Sequence, residues 1–94
     1  MFRIVFRPGA AGQIRRLRRV DAVAVLDAIE THLQYEPERL SRSRVKRLRG
    51  TQGATYRLRV GEYRVFYDVV EDQVIVAAVL HKQETVGFYR EDQP

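Results

Sequence analysis

The chain has no cysteine in its 94 residues. Disulfide staples and thiolate zinc centres are therefore excluded, and a reducing, cytoplasmic location is compatible with the composition and expected. No apolar run reaches 18 residues, so no transmembrane helix and no membrane partner are expected. The opening MFRIVFRPG has only a five-residue apolar-rich stretch, interrupted by Arg3, which is not the pattern of a signal peptide. No metal-ligand spacing occurs, and there is no G-x-x-x-x-G-K, G-x-G-x-x-G or G-x-S-x-G motif. Neither a metal nor a cofactor is expected. Lysine is scarce too: Lys46 and Lys82 are the only two among 17 basic residues, and the other 15 are arginines.

Apolar residues make up 45% of the chain, with four Phe and five Tyr, enough for one core. One domain over residues 1–94 is expected, since no repeat or low-complexity segment divides it. The charge is unevenly spread. Residues 1–60 hold 14 basic and 5 acidic side chains, a net of +9, and residues 61–94 hold 3 and 7, a net of −4. Such asymmetry points to a polyanionic partner, nucleic acid first. An arginine-rich surface that merely keeps the protein soluble is the alternative.

FRIVF (2–6) alternates and predicts a first strand that ends at Pro8 and Gly9. AAGQIRRLRRV predicts a short basic helix, with Ile14 and Leu17 at helical spacing. The strongest amphipathic helix follows, with Ala22, Leu26 or Val25, Ile29 and Leu33 on one face and Pro37 just past its end. Two helices this close predict a helical hairpin. ERLSRSRVKRLRG predicts a loop leading to a strand edge near Val45–Leu48. TYRLRVGEYRVFYDVV then reads as a β-hairpin turning at Gly61-Glu62, and DQVIVAAVL as a covered strand. The expected fold is α+β, in the order β-α-α-β-β-β, with a two-helix hairpin packed on a small curved antiparallel sheet.

A turn at Gly61-Glu62 sets Val60 opposite Tyr63, Arg59 opposite Arg64 and Arg57 opposite Phe66. The apolar set takes the core, so Arg57, Arg59, Arg64 and Phe66 are expected to look out from the sheet. Like charges directly opposed destabilise a sheet. Guanidinium groups match phosphate bidentately, and Phe66 beside them would stack on a base. Past the last strand come His81, a residue that titrates near neutrality, and Tyr89.

KRLRG (46–50), YRLRVGEYRVFYDV (56–69) and VIVAAVLHKQETVGFY (74–89) together resemble the RelE/ParE superfamily of type II toxin–antitoxin toxins, RelE-like branch. The strand–helix–helix order before them fits as well. The resemblance implies a toxin that cuts ribosome-bound mRNA without a metal and so inhibits translation. A ParE-like inhibitor of DNA gyrase, without nuclease activity, is the alternative. In the RelE-like case Arg57, Arg59 and Arg64 would hold the phosphate, His81 would be the first choice for proton transfer, and Tyr89 would be its partner or a stacking residue. Lys46, Arg49, Phe66, Lys82 and Gln83 would contact RNA. Gln83 stands where an arginine is expected. Arginine does not serve as a base, so Arg57 and Arg59 are limited to stabilising charge. The partners implied are the ribosome, mRNA and an antitoxin whose acidic or helical segment wraps the toxin, with DNA reached only through that antitoxin.

Overall fold

Phe2, Ile4 and Phe6 alternate along the first strand and turn toward the core, as a period of two requires. The computed structural model describes residues 1–49 and 54–85. Its elements are β1 (Arg3–Phe6), α1 (Pro8–Arg15), α2 (Arg19–Leu33), β2 (Val45–Arg47), β3 (Tyr56–Val60), β4 (Tyr63–Val70), β5 (Gln73–His81) and a 3-10 turn at Lys82–Glu84. The strands form one sheet in the order β1-β5-β4-β3-β2.

The α+β class and the helical pair are as expected, with two differences. First, β1 runs parallel to β5, so the sheet is mixed and not wholly antiparallel. Tight turns force antiparallel neighbours only between consecutive strands. The first and last strands meet through a long crossover, which leaves their relative direction open. Second, the strand edge expected near Val45–Leu48 is present as the short strand β2, and it makes the sheet five-stranded, one strand more than the expected order, on the edge away from β1.

α1 begins at Pro8, earlier than the predicted start at Ala10. Proline at the first helical position loses no hydrogen bond, because the N–H it lacks would have no partner there. Along α2, Val25, Ile29 and Leu33 are buried. Leu26, the other candidate for that stripe, is 42% exposed, and Val23 is also exposed. The main core lies between the helices and one sheet face and includes Leu58, Val65, Tyr67, Val74, Val76 and Val79. Tyr67 anchors the chain after α2 by donating its hydroxyl to the Pro37 carbonyl at 2.6 Å, and burial raises the pKa of this phenol. A second small cluster, Leu48, Ala54, Phe66 and Ala78 with Leu80 against it, lies on the other face. Among the described residues no helix is long and apolar enough to cross a membrane.

β1 covers β5 only as far as Val76. Beyond it α1 lies along β5, and the Gln13 side-chain oxygen accepts the Val79 N–H at 2.7 Å. Gln13 thus replaces a missing strand partner. Gln13→Ala strands that donor beside a nearly buried valine and is expected to cost about 1–3 kcal/mol. A thermal melt should show a drop of roughly 4–8 °C per kcal/mol. An unshifted midpoint would mean that water replaces the amide.

Candidate functional site

The hairpin register is the predicted one: Val60 pairs with Tyr63, Arg59 with Arg64 and Arg57 with Phe66. Gly61 has φ +56 and Glu62 has no positive φ, which suits a two-residue turn with glycine first. Backbone pairing carries the row further. The Arg59 N–H donates to the Arg44 carbonyl at 2.8 Å, next to the Val45–Leu58 pair. Arg44, immediately before β2, therefore stands in line with Arg59 on β3 and Arg64 on β4. Arg44 is not among the expected site residues. Its signal is the alternation Arg44-x-Lys46, which begins one residue before the strand edge expected near Val45–Leu48. Lys46 lies opposite Arg57 one step along.

The three hairpin arginines differ in access. Arg59 is exposed. Arg64 is half-buried, and its Nη1 donates to the carbonyls of Gly61 at 3.0 Å and Tyr63 at 2.9 Å, which aims the guanidinium along the turn. Arg57 is only 4% exposed and Phe66 is fully buried, so the expectation that both look out to solvent is corrected. The reason is register: Phe66 falls opposite Ala78, and the apolar strand β5 supplies residues to both faces. Lys46 and Arg49 are exposed. Of the acidic neighbours, Asp68 accepts from the Thr55 hydroxyl at 2.7 Å, and Glu62 lies 3.2 Å from Lys82, with Arg64 a lesser attraction.

His81 is not brought to this face. It pairs with Tyr63, whose ring it meets edge-on at 5.6 Å, whereas Arg64 pairs with Leu80 and so points the other way. Its Nδ1 accepts the Gln83 N–H at 3.1 Å, and the Glu84 carboxylate accepts the His81 N–H at 2.8 Å, a reciprocal cap on the 3-10 turn. Its Nε2 lies 3.9 Å from Glu62, whose carboxyl Lys82 holds below its usual pKa through a hydrogen bond and its charge. Tyr63 in turn donates its hydroxyl to Asp21 at 3.1 Å, and burial raises its pKa, with that carboxylate adding to the shift. Lys82 and Gln83 are exposed in the turn beyond β5. Tyr89 lies outside the described residues.

The cap makes a testable statement. Asparagine keeps an acceptor near the Nδ1 position, so His81→Asn is expected to melt with the wild type. His81→Ala should melt several degrees lower, for about 1 kcal/mol lost at a cap. Equal midpoints for all three would remove the capping role.

Residues 4–86 match the family model of the ParE toxin of type II toxin–antitoxin systems. The chain belongs to that toxin family. As a type II toxin of the RelE/ParE superfamily it has close likenesses of fold among solved structures. One is the toxin–antitoxin complex RelBE2 from Mycobacterium tuberculosis, at 25% identity and TM-score 0.70 over 85% of this chain and 96% of that one. Another is the archaeal RelE–RelB complex from Pyrococcus horikoshii, at 23% identity and TM-score 0.70, covering 88% and 97%. A third is the RelB–RelE complex from Methanococcus jannaschii, at 23% and 0.64, covering 84% and 91%. The two archaeal likenesses speak for the fold alone. No curated protein matches the toxin.

Proposed function

We propose that this toxin inhibits translation by cutting mRNA on the ribosome. The observation that carries the proposal is the row Arg44–Arg59–Arg64. Adjacent strands lie about 4.8 Å apart, so three guanidinium-bearing positions span roughly 10 Å, a length suited to consecutive phosphates. Holding like charges side by side costs stability, and a polyanionic ligand offsets that cost.

In the proposed reaction the ribose 2′-oxygen attacks the adjacent phosphorus. The 2′-hydroxyl gives its proton to a base as the cyclic phosphate forms, the bond to the 5′-oxygen breaks, and the leaving oxygen takes up a proton. Arg59 and Arg64 hold the phosphoryl oxygens as negative charge grows on them, with Arg57 adding charge from beneath. Lys46 and Arg49 bind flanking phosphates. Proton transfer falls to Tyr89, because His81 faces the other side and is engaged as a cap. Lys82 and Gln83, if they contact RNA, do so from the turn at the end of β5. Primer extension on a translated reporter mRNA tests the proposal: cuts at ribosomal A-site positions support it, and growth arrest with intact mRNA overturns it.

The position of His81 and the ParE family match also favour a second reading, a gyrase-directed inhibitor that cuts no RNA. Its signature is gyrase-dependent DNA damage with intact mRNA.

The proposed protein partner is a cognate antitoxin, as in the toxin–antitoxin complexes of similar fold. An open groove of about 450 Å³ between α2 and β1 suits an apolar helix of that antitoxin. Ile4, Phe6, Val23, Leu26 and Ile29 line it, with Asp27 and Glu30 at its rim. Beside it β1 is an edge strand of the sheet. Leu26→Glu is expected to leave the fold intact, because Leu26 is exposed, and to weaken antitoxin binding at least tenfold in a co-purification or titration assay. Full neutralisation of that variant would move the antitoxin elsewhere. Operator DNA would be reached through the antitoxin.

A further inference from the structure

The arginine row does not end at the sheet edge. Arg44 and Arg59 line one shallow cavity with Ser43 and Gly61. Arg44 also lines a second, larger cavity of about 460 Å³ between the C-terminal end of α2, the following loop and Val45. Its other walls include Thr31, His32, Tyr35, Glu36, Arg39 and Ser41. One arginine therefore belongs to both spaces and joins them.

The charges in the larger cavity are not equivalent. Arg39 is paired with Glu36 at 3.2 Å, and the pair cancels. Burial, assisted by the Arg44 charge, lowers the pKa of His32. Among the described residues no acidic side chain pairs with Arg44, whose N–H donates to the Ser41 hydroxyl at 2.9 Å. The cavity thus has one uncompensated cation at the side nearest the arginine row. Tyr35, 65% exposed, stands in the same wall. An exposed aromatic ring and an arginine lining one cavity supply what an unpaired nucleotide needs: stacking for the base, a fork of donors for its phosphate.

We infer that this cavity is a second nucleotide subsite, in which Tyr35 stacks on the base of a single-stranded RNA nucleotide flanking the one held at Arg59 and Arg64, and Arg44 grips the phosphate between them. The inference rests on the proposed RNA-cutting function and deepens it. The toxin then holds its substrate along a track that leads from the outer sheet face around the β2 edge to the end of α2. An acidic peptide would also be attracted to Arg44, but it makes no use of the exposed ring in the same wall.

The test uses the full-length toxin and fluorescein-labelled 2′-O-methyl oligoribonucleotides, which have no free 2′-hydroxyl to attack the phosphate. Binding of a dinucleotide and of a hexanucleotide is followed by anisotropy at several salt concentrations. Tyr35→Ala is expected to weaken the hexanucleotide roughly fivefold or more, the loss of one base–aromatic stack, and to leave the dinucleotide unchanged. Tyr35→Phe should restore binding. Arg44→Gln should weaken the hexanucleotide and reduce its salt slope by about 0.7, one phosphate contact. Hexanucleotide binding unchanged in both variants would overturn the subsite even if the toxin cuts mRNA. So would a wild-type protein that binds no oligoribonucleotide, or variants that lose only the antitoxin. Tyr35-dependent binding by a toxin that cuts no mRNA would uphold the subsite and remove the nuclease.

Discussion

Arg59→Ala is expected to abolish growth arrest while the protein melts at or slightly above the wild-type temperature. Arg59 is exposed, so its removal takes little from the core, and surface substitutions usually shift stability by less than about 0.5 kcal/mol. It also stands directly opposite Arg64, so its loss relieves a like-charge pair. On the proposed mechanism the same change removes a group aimed at the phosphoryl charge, an effect of about 10²–10³ in rate. Loss of activity with no loss of stability identifies a charge kept for a ligand. Arg64→Ala should differ in one respect. Its guanidinium also binds two turn carbonyls, so activity and a few degrees of melting temperature should fall together. Primer extension and a thermal melt on both variants check this. Undiminished mRNA cutting by Arg59→Ala would end the phosphate-binding role of the row.

Phe66→Ala is expected to destabilise the protein severely, with a large fall in melting temperature. The ring is fully buried against Leu48, Ala54 and Ala78, and truncating such a residue costs about 3–5 kcal/mol. That is a large part of the 5–15 kcal/mol typical of a domain. Alanine alone therefore does not separate a packing role from a stacking one. Phe66→Leu does. Leucine keeps most of the apolar volume but has no aromatic face. A packing residue predicts a modestly lower melting temperature with full mRNA cutting, and this is the expected result because the ring has no exposed surface. A folded Phe66→Leu protein that no longer cuts would restore the base-stacking role.

Local patterns carried much of the fold. The hairpin register was legible because a glycine turn of two residues leaves one pairing, and a period of two then assigns each side chain to a face. The helix stripe of Ile29 and Leu33 was legible for the same kind of reason, although Leu26 or Val25 remained open until the groove beside β1 showed Leu26 exposed. The candidate site was legible in part. The Arg59–Arg64 pair follows from the hairpin alone, whereas Arg44 joins it only through pairing across β2.

From the sequence by itself came the α+β class, the family resemblance, the hairpin with its opposed arginines and the basic first half of the chain. All of these rest on neighbours close along the chain or on composition. Tertiary structure alone decided the parallel meeting of β1 with β5, the burial of Arg57 and Phe66, the Gln13–Val79 bond and the side of the sheet that His81 takes. Each depends on contacts between segments far apart in sequence, where no turn length or local period fixes direction, depth or face.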